Sequence, residues 1–142
     1  MGYNIECDAC KKSSWASNIV ELIDDHLDEN QMLKCANCGA SGAYIYKTSE
    51  TQEGEEWERW IKGILRIDYH DEGLENYHPY VFLITHKGTQ GKIDSVQISY
   101  YKDLRKSGGE LKHGHGPGGT PVLDLPDIKN ILHKMKDMGV DF

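Results

Sequence analysis

The stretches Cys7-Asp8-Ala9-Cys10 and Cys35-Ala36-Asn37-Cys38 contain every cysteine of this 142-residue chain. In both, two residues separate the cysteines, a spacing that lets one tight turn point two sulfurs and some backbone amides at the same ion. Two such turns supply four thiolates, which is the ligand shell of a structural zinc site. The sequence therefore predicts one structural Zn²⁺, with these metal ligands: Cys7, Cys10, Cys35 and Cys38.

Two other uses of the cysteines fit this pattern less well. Disulfides are rare in the reducing cytosol, where we expect this chain to lie because its first residues show no export signal. A thioredoxin-like redox site needs one Cys-x-x-Cys pair at the start of a helix and has no use for a second pair. Four thiolates on one ion leave no coordination position open to water, so the predicted zinc is not catalytic.

The residues around the two cysteine pairs have the composition of a small sheet. Segments 3–6 and 31–34 precede the pairs as short strand-like stretches, and segment 43–47 supplies a third. Gly39 follows Cys38, where the turn needs a positive φ. Residues 1–48 therefore resemble the zinc ribbons, small domains in which two such turns rise from a short antiparallel sheet. The resemblance implies that fold and a bound zinc ion, but no particular function, because ribbons occur in many unrelated proteins.

The 24 residues between the two pairs are enough to hold a helix. Acidic side chains lie opposite an apolar set at helical spacing, and Ser14 or Ser17 is a suitable cap. We expect an amphipathic helix inserted in the ribbon, covering its sheet and burying its tryptophan. The apolar set is Trp15, Ile19, Leu22, Ile23 and Leu27.

Residues 49–142 predict a second, small α+β domain after a polar linker at 48–56. The apolar residues of segment 57–65 fit a helix, but segment 60–69 also fits a strand, and Gly63 counts against a long helix. Segments 80–85 and 93–101 predict a β-hairpin with its turn at 87–92. A C-terminal helix begins near Asp124 and Pro126 and ends at Gly139. Its apolar stripe consists of Ile128, Ile131, Leu132 and Met135.

Segment 106–121 predicts a long loop without regular structure, and six of the chain's 15 glycines lie in it. Loops of this length are often functional. In one interpretation, basic side chains and exposed backbone amides hold a phosphate or a nucleic-acid backbone, and Tyr100 and Tyr101 stack on bases. This ligand-binding loop would use Arg105, Lys106, Lys112, His113, His115, Gly116 and Gly118.

Two further interpretations of the same loop stay open. His113 and His115 lie on one side of an extended chain and are close enough to chelate a second metal ion. Further ligands are not obvious, and His86, Glu110 or Asp124 serve only if the fold brings them near. Alternatively, a turn at 116–118 simply connects the hairpin to the final helix, and this is the interpretation that the sequence favours.

The net charge of the chain and its lack of catalytic motifs disfavour several classes of function. The chain has a net charge of −7, and its three segments 1–48, 49–75 and 76–142 carry −3, −6 and +2. Such acidity disfavours general nucleic-acid binding, apart from segment 86–115 with six basic and three acidic residues. Neither a nucleophile with an adjacent base nor a 20-residue apolar run is present, which disfavours an enzyme and a membrane protein.

We therefore expect a soluble, cytoplasmic α+β protein, with a four-cysteine zinc ribbon at 1–48 and an α+β domain at 49–142. Its expected role is that of a non-catalytic binding or adaptor module for another macromolecule, with a protein as the partner. Two alternatives stay open. One is nucleic-acid or phosphate binding through the basic hairpin and segment 105–120, and the other is metal-dependent catalysis by His113 and His115.

Overall fold

The computed structural model describes residues 2–40, 44–49, 58–67, 77–87, 91–114 and 121–141, with the backbone alone for 44–49 and residue 58. The fold is mixed α+β, as the sequence predicts. In chain order its elements are β1 (Tyr3–Cys7), β2 (Ser13–Ala16), α1 (Ile19–His26), β3 (Tyr44–Ser49), β4 (Glu58–Arg66), β5 (Tyr77–Thr85), β6 (Ser95–Asp103), a 3₁₀ turn (Arg105–Ser107), β7 (Leu111–His113), β8 (Val122–Asp124) and α2 (Leu125–Asp137).

The strands form an antiparallel sheet in the order β2-β1-β3-β4-β5-β6-β7. The outer edge of β6 is shared, because β8 pairs with its first residues and β7 with its last. Pairing of β3 with β4 carries the hydrogen bonds of the sheet across residue 48. The division of the chain into domains at 1–48 and 49–142 stays a prediction.

The hydrophobic core lies on one face of this sheet. Tyr80, Phe82 and Ile84 alternate along β5 and point to that face, as the two-residue period of a strand requires. Ile64 and Ile61 on β4 pair with Phe82 and Ile84 and belong to the same buried cluster. Helix α1 covers the β1 end of the core with Ile19, Leu22 and Ile23.

The inserted helix is present, but it begins later than the sequence predicts. Asn18, and not Ser14 or Ser17, caps α1, because its side-chain oxygen accepts a hydrogen bond of 2.9 Å from the Glu21 amide. The Glu21 carboxylate in turn accepts a hydrogen bond from the Ser17 amide, which lowers the pKa of Glu21. These two reciprocal bonds form a variant of the capping box.

The expected burial of Trp15 is wrong. Trp15 lies on β2, opposite Asn4 of β1, and its side chain is 60% exposed. Its spacing of four residues from Ile19 matches a helix by coincidence, and pairing with β1 determines its conformation instead. Its neighbour Ala16 points into the core, so Trp15 points to the opposite face of the sheet and lies outside the core.

The strand interpretation is correct for residues 60–66, which belong to β4 with an irregularity between Ile61 and Gly63, whereas residues 57, 68 and 69 lie outside the described part of the chain. The predicted strand at 31–34 is reduced to isolated bridges, one of which joins Met32 to Gly63. Here the Leu33 amide donates to the Lys62 carbonyl at 2.8 Å, and the Ile64 amide donates to the Gln31 carbonyl at 2.9 Å. The chain leading to the second cysteine pair is thereby bonded to β4, directly after the residues of β4 that pair with β3.

The hairpin and the C-terminal helix are confirmed. β5 pairs with β6 from Tyr77 to Ile84, although residues 88–90 of the predicted turn lie outside the described part of the chain. Pro126 lies in the first turn of α2, and Gly139 ends the helix with a φ of +89°. The Val140 amide closes this end by donating to the Met135 carbonyl at 3.0 Å.

The prediction that segment 106–121 lacks regular structure is wrong in part. Residues 105–107 form the 3₁₀ turn, and β7 extends the sheet next to β6. Three residues are too few for an alternating pattern to be recognised, which is why β7 escapes a sequence-based prediction. Residues 115–120, which include His115, Gly116 and Gly118, lie outside the described residues.

Candidate metal centre

Two turns of the same construction present the four cysteines. In the first, the Lys11 amide donates to the Cys7 carbonyl at 3.0 Å, and in the second, the Gly39 amide donates to the Cys35 carbonyl at 2.9 Å. Residues 11 and 39 both have positive φ, +61° and +72°. A further bond closes each turn, from the amide of the first cysteine to the carbonyl five residues on. The first turn joins β1 to β2, and the second follows the bridged segment 31–33.

The four sulfurs converge on one point. The Sγ atoms of Cys7 and Cys38 are 3.5 Å apart and those of Cys10 and Cys35 are 3.7 Å apart, with all four within 4.8 Å of one another. A Zn–S bond of about 2.3 Å gives a tetrahedral sulfur–sulfur separation of about 3.8 Å. A disulfide requires about 2.05 Å, so these are free cysteines at the spacing of metal ligands.

Backbone and side-chain amides surround the sulfurs. The Asn37 and Cys38 amides donate to the Cys35 sulfur at 3.3 and 3.4 Å, and the Cys10 amide donates to the Cys7 sulfur at 3.5 Å. The side-chain amide of Asn37 reaches the Cys10 sulfur at 3.6 Å. Hydrogen bonds to sulfur favour the thiolate form, which is the form that binds metal.

The pKa values of Cys10 and Cys38 are shifted in opposite directions. The Lys12 backbone amide, hydrogen-bonded to the Cys10 sulfur, lowers the pKa of Cys10 to about 6. At Cys38 the Ala40 amide acts in the same direction, but the neighbouring thiols, first that of Cys7, outweigh it and raise the pKa to about 11. Several thiolates this close repel one another. A bound cation removes that repulsion and allows all four to ionise.

The donor set fits a soft, four-coordinate ion. Four thiolates in a tetrahedral arrangement are typical of zinc and of iron–sulfur centres. Cys7 and Cys35 are buried and belong to the hydrophobic core, Cys10 packs against it, and Cys38 is exposed. The four cysteines are thus positioned to bind a metal ion, compatible with zinc. Within the described part of the chain they form the one group of three or more residues able to do so.

The three basic residues predicted for the ligand-binding loop, Arg105, Lys106 and Lys112, have different local surroundings. Arg105 makes two hydrogen bonds of 2.9 Å to the Asp103 carboxylate. This pairing lowers the pKa of Asp103 to about 2 and raises that of Arg105. Lys106 is exposed in the 3₁₀ turn, and Lys112 lies on β7 directly opposite Lys102.

The second metal site predicted at the histidines is not assembled by the described residues. His113 lies on β7 opposite Tyr101, and burial lowers the pKa of its imidazole. His115 lies outside the described residues, so the pair itself stays a prediction.

A polar network that the sequence did not indicate joins the end of β5 to the start of α2. The His86 Nδ1 and Asp94 Oδ1 atoms are 2.9 Å apart, and the Ser95 hydroxyl approaches Asp94 at 2.6 Å and Asp124 at 3.2 Å. Burial opposes ionisation of Asp94, but hydrogen bonds from His86 and Ser95 lower its pKa overall.

This network has the residue types of a serine hydrolase without the geometry. Ser95 and Asp94 both approach the same nitrogen of His86, whereas a catalytic triad uses opposite nitrogens. The Ser95 side chain is also fully buried and so cannot reach a substrate. No spacing motif connects these residues in the sequence, so only the structure reveals them.

Neither helix of the described chain has the length and hydrophobicity needed to cross a membrane. No protein-family model, curated protein or solved structure matches this chain.

Proposed function

We propose that this chain contains a zinc ribbon whose four cysteines hold one structural Zn²⁺, and that it acts as a non-catalytic binding module for another protein. The observation that carries the metal assignment is the convergence of four sulfurs within 4.8 Å on two turns of the same construction. Four protein ligands complete a tetrahedral shell, which is typical of structural and not of catalytic zinc.

The position of the cluster supports a structural role for the metal. Cys7 is the last residue of β1, and both Cys7 and Cys35 are packed in the core. The segment before Cys35 is bonded to β4. A metal ion therefore links the first hairpin to the centre of the sheet, and its binding free energy adds to the stability of the fold.

The exposed edge of the sheet supports a protein partner. Trp15 lies on the edge strand β2, and its ring packs so closely against Gly2 that no side chain fits there. Exposed tryptophans that are held in one orientation are frequent anchors of protein interfaces. The acidic side of α1, with Asp24 and Asp25 exposed, lies nearby in sequence and favours a partner with basic groups.

The metal assignment is tested by native mass spectrometry with elemental analysis on protein purified without chelator or affinity tag. We expect one zinc ion per chain, lost in a Cys35→Ser/Cys38→Ser variant and retained in a Ser13→Ala control on β2. Absence of metal, or a tightly bound iron in place of zinc, contradicts the assignment.

The binding role is tested by comparing three proteins in affinity capture from the source cells: wild type, Trp15→Ala and Ile98→Ala. Ile98 is a matched control because it is also apolar and half exposed, on a different part of the sheet. We expect wild type and the control to retain one common partner and Trp15→Ala to lose it. Equal capture by all three proteins excludes Trp15 as the anchor.

One observation favours phosphate or nucleic-acid binding as a second candidate. Lys102 and Lys112 lie directly opposite each other on β6 and β7, an arrangement of like charges that is unfavourable unless an anion neutralises it. The test is fluorescence anisotropy with labelled single-stranded DNA at two salt concentrations. Binding that weakens with salt and disappears in Lys102→Glu/Lys112→Glu supports this candidate, and absence of binding at low salt excludes it.

A further inference from the structure

Helix α2 has an apolar stripe that the described part of the protein does not bury. No residue of α2 is buried, and Leu125, Ile131 and Leu132 are each at least 40% exposed, whereas α1 buries four of its eight residues. Isolated helices shorter than about 12–15 residues are only marginally stable in water, so most protein helices depend on packing of their apolar face. The described residues half-bury Ile128 and Met135 but leave Ile131 and Leu132 exposed, which is less packing than a 13-residue helix needs.

The connection to β8 keeps this stripe away from the protein's own sheet. α2 begins at Leu125, directly after the last residue of β8, with no connecting residue between them. Pairing of Asp124 with Ser95 fixes the end of β8, and the Leu125 amide donates to the Asp94 carbonyl at 2.9 Å. A helix that turns back to lie on its own sheet usually needs a loop of two or more residues. The first turn of α2 is thus held in place, and Ile131 and Leu132 of its stripe remain exposed.

The charge of α2 differs from that of the rest of the chain. Residues 125–141 contain three lysines and three aspartates, so the net charge of −7 belongs entirely to the remaining residues. Two copies of an acidic protein repel each other over most of their surface. A second copy meets no net repulsion at α2, and there it also finds the exposed apolar stripe.

The charged residues beside the stripe are complementary to those of a second α2 that packs in the antiparallel orientation. Asp127 and Lys134 are seven residues apart and therefore lie on the same side of the stripe, two turns from each other. When two identical helices pack antiparallel, the same side of each helix meets, and the first turn of one lies beside the last turn of the other. Asp127 of each copy is then next to Lys134 of the other copy, and the helix dipoles are opposed favourably.

We propose that α2 is a self-association surface, at which the α2 helices of two copies pack antiparallel and bury each other's apolar stripe. The partner is a second copy of this chain. The contact is isologous, so each stabilising residue acts twice. It leaves Trp15 and the cysteine cluster free, so it is independent of the proposed zinc and partner binding.

The first test is sedimentation equilibrium of the full-length, metal-loaded protein from micromolar to millimolar concentration. We expect a reversible monomer–dimer equilibrium whose dissociation constant increases at least about 100-fold in Ile131→Glu, because the charge enters the interface twice. The control Ile98→Glu places the same charge on another exposed isoleucine and is expected to leave the constant unchanged. Circular dichroism and metal content verify that both variants fold.

A charge exchange tests the orientation without altering the stripe. We expect Asp127→Lys and Lys134→Asp each to weaken the dimer and the double variant to restore it. A double variant as weak as the single ones overturns the antiparallel arrangement. A monomeric wild type at all concentrations, or a dimer that Ile131→Glu leaves unchanged, overturns the self-association surface itself and points to a different occupant of the stripe.

Discussion

Residues 11 and 39 occupy the same place in the two cysteine turns, although one is a lysine and the other a glycine. Both have a left-handed backbone, which costs a residue with a Cβ about 1–2 kcal/mol and glycine almost nothing. The sequence predicts this conformation at Gly39 because glycine is the residue type suited to it. At Lys11 the side chain gives no such signal, and the geometry of the turn alone imposes the conformation.

This comparison yields a pair of predictions for the cysteine turns. Gly39→Ala introduces a Cβ at a positive φ and should lower the free energy of unfolding of the metal-loaded protein by about 1–2 kcal/mol. Lys11→Gly should leave it unchanged or raise it slightly, since the ion pair it removes, Lys11 with Asp8, is exposed and worth little. Urea denaturation with excess zinc measures both. Similar losses in the two variants would contradict this account of the turns.

The half-buried imidazole of His113 on β7 predicts that stability depends on pH. Burial lowers the pKa of His113 below its ordinary value of 6.5, so the folded protein favours the neutral ring. As the pH falls through that value, the unfolded chain binds a proton more readily than the folded one, and stability is lost. The free energy of unfolding should therefore decrease less in His113→Asn than in wild type between about pH 7.5 and about pH 5.5.

His113→Gln is the matched second variant for this effect, because it removes the same ionisable group with a different replacement and should flatten the slope equally. His26, whose pKa burial also lowers, contributes equally to all three proteins. The same slope for wild type and His113→Asn would show that the imidazole is not the group responsible.

At the scale of elements, the sequence predicts the strands and helices whose apolar pattern is uninterrupted. It does not predict those whose pattern is interrupted. β5 contains the continuous apolar run 80–84 directly after Pro79, β6 alternates polar and apolar residues over 95–100, and α2 has a proline at its start and a glycine beyond its end. In β4 the irregularity at Gly63 brings Ile61 and Ile64 to the same face. Their three-residue spacing then imitates a helix, which explains why periodicity could not distinguish the two structures.

The close packing around Gly63 predicts that a side chain at this position of β4 destabilises the protein. A Cβ at this position would lie 2.8 Å from the Gln31 carbonyl oxygen, which accepts the Ile64 amide hydrogen bond. Gly63→Val should therefore displace segment 31–33 and lower the free energy of unfolding by at least about 2 kcal/mol. Arg66→Val, an exposed position on the same strand, should change it by less than about 0.5 kcal/mol. Thermal and urea unfolding measure both, and equal effects would exclude the steric explanation.

At the scale of the molecule, the candidate site was more predictable than its surroundings. Cysteine spacing alone was sufficient for the cluster, because two-residue spacing restricts each pair to one tight turn. The connection of that cluster to β4 depends on contacts between residues far apart in sequence, such as Met32 with Gly63, which no local pattern reveals. The exposure of the α2 stripe likewise depends on where β8 attaches to the sheet.

The hydrogen bonds between segment 31–33 and β4 predict that metal removal destabilises β4 as well as the cysteine turns. Chelation leaves thiols that cannot all ionise together, and Cys7 and Cys35 lie in the same core cluster as Ile64 and Phe82. Since segment 31–33 and β3 both hydrogen-bond to β4, loosening of the cysteine turns should reach this strand directly.

Hydrogen exchange measured by mass spectrometry before and after chelation is the test. Amide protection should decrease in β1 and also in β4, with a smaller decrease in β6, which is two strands further from the cluster. The Cys35→Ser/Cys38→Ser variant should reproduce this profile without chelator, which controls for direct effects of the reagent. A loss confined to residues 1–48 would instead show that the hydrogen bonds across residue 48 do not couple the two segments, as expected for two domains that unfold separately.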